Sequence, residues 1–195
     1  MKKNNKFKVG VFSGSFDPPH KGHIYIAKLF INKLKLDKLI WNVSIRNPLF
    51  KKNYFHSYKE RVTLSKKICK NYKKIQINDY DKKYSYKLVE SVKNNYKNSE
   101  IYFLIGLDNL KYFHKWKKFA KIIEYSTLVV INRPGYYKEL VNSVFFKNYN
   151  KFLKKKLNDL RILPGKTWIF INDKGKKISS SSIKNRIYKI NKLKI

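Results

Sequence analysis

Short apolar blocks rich in β-branched and aromatic residues recur along this chain, and between successive blocks lie polar stretches whose apolar residues fall at helical spacing. Phe7 to Phe12, Leu39 to Val43, Ile75 to Ile77, Ile101 to Ile105, Thr127 to Asn132 and Thr167 to Ile171 read as strands. Helical spacing covers Lys21 to Leu34, Tyr58 to Tyr72, Ser85 to Tyr96 and Trp116 to Glu124, with a short Asp108 to Lys115 segment before the last of these and a final helix at Ser179 to Ile190. Ser57 followed by Glu60 is a capping-box pattern that fixes the start of the second helix. A parallel strand pair needs a long crossover, and a helix supplies it. The alternation therefore predicts a parallel sheet with helices on both faces, in which ligands sit beyond the carboxyl ends of the strands.

The expected fold class is α/β, a Rossmann-like doubly wound parallel sheet. At 195 residues the chain fits one domain spanning 1–195, with a small helical subregion toward its C-terminal end. The stretch from Pro134 to Leu160 is the least regular part and reads as one or two helices, so that about 134–165 forms a helical insertion.

The formal net charge of +34 would ordinarily point to nucleic acid or an anionic surface. The chain has 41 Lys, 20 Asn and 21 Ile against 2 Ala and 5 Arg, the bias that A+T-rich codons produce whatever the function. Lysine is scattered over the whole length, not gathered into one block, so most of the charge reads as solvated surface. With 43% hydrophobic and 16% aromatic residues the chain can build a core. The lone Cys69 allows no internal disulfide, and no apolar run approaches the roughly 20 residues of a membrane helix. The apolar run after the basic start is too short for a signal peptide, and the expected location is the cytoplasm.

The segment Gly14-Ser15-Phe16-Asp17-Pro18-Pro19-His20-Lys21-Gly22-His23 follows the first strand and opens the first helix. Two histidines three residues apart share a helix face. Gly14 permits close backbone approach, and a helix N-terminus offers N–H groups and a partial positive charge to phosphate. Paired imidazoles there can donate hydrogen bonds to charge developing on a transferring phosphoryl group. Two other readings stand beside this one. A zinc pair would need a third ligand, and neither another nearby ligand nor a useful cysteine is present; two surface histidines near a turn would need no function at all.

This segment resembles the His-x-Gly-His signature of the nucleotidylyltransferase superfamily, and specifically that of the bacterial nicotinate-nucleotide adenylyltransferases. Further segments in the same order carry the resemblance from about Lys8 to Ile187. Gly106-Leu107-Asp108, with Trp116 downstream, is similar to the family's Gly-x-Asp segment and its tryptophan; the likeness implies that Gly106 and Asp108 contact the nucleotide, Asp108 at ribose hydroxyls, and that Trp116 stacks on the pyridine ring of the acceptor. Ile178-Ser179-Ser180-Ser181 is similar to the second nucleotide motif, and implies ATP contacts at the start of the last helix. There Ser181 stands for Thr, and Lys184 for Arg, keeping charge without the guanidinium fork. Tyr84-Ser85 is similar to the Tyr-Thr that holds the acceptor nucleotide. Arg133, in Arg-Pro-Gly-Tyr, is one of the few arginines retained in a lysine-rich chain. In Asn47-Pro48-Leu49-Phe50-Lys51, Phe50 stands where the family has lysine, and Lys51 or Lys52 takes over by a shift of one or two residues.

The resemblance implies an enzyme that transfers AMP from ATP to nicotinate mononucleotide, giving deamido-NAD and pyrophosphate. His20 and His23 would be catalytic; Gly14, Ser15 and Phe16 would join them in binding ATP; Tyr84, Ser85, Asp108, Trp116, Arg133 and Lys51 would bind the acceptor. Mg2+ would arrive with ATP and no metal would be held by protein side chains. Two alternatives remain open at this stage. The same chemistry could act on nicotinamide mononucleotide, phosphopantetheine or another phosphate ester. A basic nucleic-acid-binding protein would instead gather Lys and aromatics on one strip.

Overall fold

A computed structural model of the chain describes residues 6–45, 54–78, 84–132, 137–154 and 167–173. Seven parallel strands form a single sheet: β1 Lys8–Gly14, β2 Lys38–Val43, β3 Ile75–Asn78, β4 Glu100–Gly106, β5 Thr127–Ile131, β6 Leu153–Lys154 and β7 Trp168–Ile171. Their order across the sheet is β3-β2-β1-β4-β5-β7-β6. The helices are α1 Lys21–Leu34, α2 Tyr58–Cys69, α3 Ser85–Asn95, α4 Leu107–Phe113, α5 Phe119–Tyr125, α6 Tyr137–Asn142 and α7 Val144–Tyr149, the last followed by a 3-10 turn over Asn150–Phe152.

The central strands β2, β1, β4 and β5 are buried on both faces, and alternate residues feed two cores. Along β4, Ile101, Phe103 and Ile105 face the core built with α3 to α7. Tyr102 and Leu104 face the core built with α1 and α2. The same two-residue period divides β7, where Trp168 joins the first core and Ile169 and Ile171 the second. The sheet is thus wound in two directions from its middle: β1 leads outward to β2 and β3, and β4 leads outward to β5 and β7. The switch falls between β1 and β4, and the crevice beyond their carboxyl ends is where open sheets of this kind bind ligands.

The expected strands and helices are present within a few residues, with four differences. β1 runs two residues further, to Gly14, because its last residues pair with Asn42 and Val43 of β2. The Asp108 to Lys115 segment is a true helix, α4, starting at Leu107. The helix expected from Trp116 begins only at Phe119, because Lys118 sits in the left-handed region at φ 51 and breaks the spacing. Within the irregular stretch, α6 and α7 are the expected helices, and β6 is a two-residue strand that pairs with β7 at the sheet edge. The final helix expected at Ser179 to Ile190 lies outside the described residues. No helix among the described residues is long and apolar enough to cross a membrane.

Candidate active site

The carboxyl ends of β1 and β4 bring the two chief motifs side by side. Gly14 ends β1 and pairs with Val43, while Gly106 ends β4 and pairs with Ile131. Gly14 lies at a crowded point: a Cβ there would meet the Phe16 ring at 3.1 Å. Phe16 itself is buried, stacked on Trp41 with ring centroids 4.1 Å apart. It holds φ 46, a left-handed conformation that costs energy for a bulky residue.

His20 and His23 form the N-terminal cap of α1. His20 is the N-cap, and its Nδ1 accepts the Gly22 N–H at 3.1 Å. His23, three residues on, returns its Nδ1 to the His20 N–H at 3.2 Å. This is a capping box made of two imidazoles instead of a hydroxyl and a carboxylate. A ring nitrogen that accepts a backbone N–H carries no proton, so Nε2 is the N–H donor of both neutral rings. The rings stack with centroids 3.7 Å apart and 28° between planes, and the edge of the pair rests on Phe16, 5.0 Å from His23. Two Nε2–H donors are therefore set side by side at the amino end of a 14-residue helix, a place whose dipole favours phosphate.

Arg61, Asp17 and His56, none of them given a role from the sequence, hold this loop. Arg61 of α2 is buried, only 1% exposed, and its Nη1 donates to the carbonyls of Ser15 at 2.6 Å and Ser44 at 2.7 Å. Its Nη2 donates to the Ile45 carbonyl at 2.9 Å, and the Tyr54 ring covers the guanidinium at 4.3 Å. Burial lowers its pKa somewhat, with Tyr54, Asp17 and Tyr58 opposing; a guanidinium stays charged. Asp17, 3% exposed, accepts the N–H groups of Phe55 at 2.8 Å and His56 at 3.0 Å, and lies 2.9 Å from His56 Nδ1. Like Arg133, Arg61 is a guanidinium kept in a lysine-rich chain, and that retention is its one mark in the sequence.

Beyond β4, Asp108 lies in the first turn of α4, at the strand end where it was expected. Tyr84 is the N-cap of α3 and Ser85 its first residue. Lys117, next to Trp116, places its ammonium 4.8 Å from the Tyr84 ring centre, so the turn that carries Trp116 meets the start of α3. Trp116 is half-buried and packs edgewise on Phe113 and Phe103, at 5.4 and 6.3 Å; part of the ring is ordinary core packing. Lys51, Arg133, Ile178, Ser179, Ser180 and Ser181 lie outside the described residues. Tyr25, two residues past His23, donates its hydroxyl to Asp173 at 2.9 Å, a bond that raises the Tyr25 pKa. Asn132 donates to Asn172 at 3.0 Å, tying the ends of β5 and β7 together.

No group of three or more His, Cys, Asp or Glu among the described residues could hold a metal ion. Cys69 is buried, and its thiol is pushed up to about 12 by desolvation, which makes it a packing residue and not a nucleophile. A cleft lined by Lys93, Lys97 and Tyr125 opens at the amino ends of β4 and β5, the opposite edge of the sheet.

A doubly wound sheet with an imidazole-capped loop at its switch point fits one class, the nucleotidyltransferases: the Cytidylyltransferase-like family model matches residues 11–186, most of the chain. Within that class the chain belongs to the nicotinate-nucleotide adenylyltransferase family. A protein of Pelagibacter ubique described as a probable nicotinate-nucleotide adenylyltransferase is 37% identical over 92% of this chain and 93% of its own length. One of Rhizobium leguminosarum, described in the same words, is 31% identical over 91% of this chain and 95% of its own. The fold is also that of the Plasmodium falciparum nicotinic acid mononucleotide adenylyltransferase complexed with NaAD, at TM-score 0.67 and 18% identity over 92% of this chain and 83% of that one. Enzymes of this family use a divalent metal together with ATP.

Proposed function

We propose that this chain joins the adenylyl group of ATP to nicotinate mononucleotide, forming deamido-NAD and pyrophosphate as a step of NAD biosynthesis. The observation that carries the reading is the paired imidazole cap: two Nε2–H donors fixed by backbone bonds at the end of β1, opposite Gly106 and Asp108 at the end of β4. A phosphate oxygen of the mononucleotide attacks the α-phosphorus of ATP, the bond from that phosphorus to the bridging oxygen breaks, and the electron pair leaves with pyrophosphate. The nucleophile is already anionic, so catalysis needs alignment and charge stabilisation more than a base.

In this reading His20 and His23 donate to the triphosphate and to the charge that develops on it, with the backbone of Gly14, Ser15 and Phe16 completing the cradle. Gly106 and Asp108 take the ribose. Tyr84, Ser85 and the free face of the Trp116 indole receive the pyridine nucleotide, with Arg133 and Lys51 adding cationic contacts. Ile178 to Ser181 add contacts to the ATP phosphates. The divalent ion is Mg2+, entering as part of the nucleotide substrate; the donor set suits this, because Asp17 is committed to backbone N–H groups and His56. The chain works as one domain in the cytoplasm, where the single thiol stays reduced.

Pyrophosphate release with MgATP and a panel of acceptor mononucleotides tests the reading. Nicotinate mononucleotide should give the highest kcat/KM. Faster turnover of nicotinamide mononucleotide would move the assignment to that acceptor, and release with neither would end it.

A further inference from the structure

We propose that the segment from Phe55 to Arg61 is a positioning brace that holds the Ser15–Phe16–Asp17 turn in the conformation that receives the phosphates of ATP. The brace grips the turn on both sides of Phe16. On one side Arg61 takes the Ser15 carbonyl at 2.6 Å; on the other, the Asp17 carboxylate takes the N–H groups of Phe55 and His56 at 2.8 and 3.0 Å. The residue between them is the one at φ 46. A bulky side chain stays in that region only where its surroundings over-determine it, and such residues gather at functional sites.

What the strained turn achieves follows from peptide geometry. The Ser15–Phe16 peptide is trans, so its C=O and N–H point in opposite directions. With the carbonyl drawn inward to Arg61, the Phe16 N–H points away from α2. Arg61 also fixes the loop after β2, through the carbonyls of Ser44 and Ile45 at 2.7 and 2.9 Å. One guanidinium thus sets the separation between the loops that follow β1 and β2. Its fork geometry is what allows three carbonyls to be met at once, and an ammonium at that place reaches fewer of them. Arg61 and Asp17 act through the backbone of the turn and are positioning residues, not catalytic ones.

The proposal rests on the ATP reading above, and the test separates the two. Wild-type protein is first assayed for pyrophosphate release with MgATP and nicotinate mononucleotide, and for MgATP binding by calorimetry. Absence of turnover defeats the functional reading; the brace is then still read from MgATP binding. Arg61→Lys, Asp17→Asn and the control Val62→Ala, a core truncation on the same helix, are compared at a temperature where each is folded by circular dichroism. Loss of folded protein lowers kcat and leaves KM unchanged, whereas a displaced turn raises KM. We expect Arg61→Lys and Asp17→Asn each to raise the KM or Kd for ATP about 10-fold and to lower kcat/KM about 100-fold, with Val62→Ala within about twofold of wild type. An unchanged KM and Kd for ATP in either folded variant overturns the proposal. Should Arg61→Lys fail to fold, Asp17→Asn decides alone, because it alters a loop carboxylate and removes no core volume.

Discussion

His20 and His23 cap α1 reciprocally, each Nδ1 accepting a backbone N–H while the rings lie 3.7 Å apart. The cap uses Nδ1 and the proposed chemistry Nε2 of the same ring, which allows the two to be separated by mutation. Asparagine places an oxygen close to where Nδ1 sits and is among the best N-cap residues, yet it has nothing at the place of Nε2–H.

His20→Asn is therefore expected to keep or raise the urea midpoint while turnover falls at least ~100-fold. His20→Ala should lose the same turnover and, in addition, about 1 kcal/mol of stability from the missing cap. Turnover near wild type in a folded His20→Asn protein would remove Nε2–H from the mechanism.

Trp116 packs its edge on Phe113 and Phe103 and is only half-buried. If its exposed face stacks on the acceptor's pyridine ring, Trp116→Leu keeps an apolar plug in the core but loses the flat surface. Stacking of a ring on an aromatic side chain contributes about 1–3 kcal/mol, so KM for nicotinate mononucleotide should rise roughly 10-fold with KM for ATP unchanged. A parallel rise in both constants would show that Trp116 acts only as core.

The elements that were legible in the sequence are those governed by local rules. Alternation located six of the seven strands, and the Ser57–Glu60 spacing located the start of α2. β6 was not legible, because two residues at a sheet edge have no period to detect; only pairing with β7 makes Leu153 and Lys154 a strand. The start of α5 was misplaced because apolar spacing continues through Trp116 while the backbone does not: Lys118 at φ 51 ends one turn before Phe119 begins the next. In the candidate site, the pairing of His20 and His23 at the start of α1 was legible because both lie within four consecutive residues. Arg61 shows in the sequence only as a guanidinium retained among lysines, and its role, like that of His56, exists only once the fold brings residues 15, 17 and 44 against them.

At the start of α2, Ser57 Oγ accepts the Glu60 N–H at 3.3 Å, and Glu60 returns a carboxylate oxygen to the Ser57 N–H at 2.8 Å. Hydrogen bonds from Ser57 hold the Glu60 pKa below its ordinary value. A lowered folded-state pKa means that the ionised form stabilises the fold at pH above the unfolded value, and that this contribution fades as pH falls through the lowered one. The stability difference between wild type and Glu60→Gln, followed by urea unfolding, should accordingly shrink as pH drops from neutral into the acidic range. A difference that stays constant with pH would mean the ionised carboxylate contributes nothing to the cap.

Gly10 lies in the middle of β1, where α1 and its exit turn press on the strand. A Cβ at this position would sit 2.5 Å from Leu36 Cδ1, 2.8 Å from Leu39 Cδ1 and 2.9 Å from Phe30 Cε1, and all three of those side chains are fully buried. Alanine normally favours a strand over glycine because it has less unfolded entropy to lose, and here that gain is opposed by overpacking that pushes on Phe30 of α1, Leu36 of its exit turn and Leu39 of β2. Overpacking of this kind costs about 1–3 kcal/mol, larger than the propensity gain, so Gly10→Ala should lower the urea midpoint. Because α1 carries His20 and His23 at its amino end, the same displacement should reach the site, and kcat/KM should fall as well. A Gly10→Ala protein of unchanged or greater stability would show that Leu36 and Phe30 can repack around the added methyl and that α1 is free to shift on the sheet.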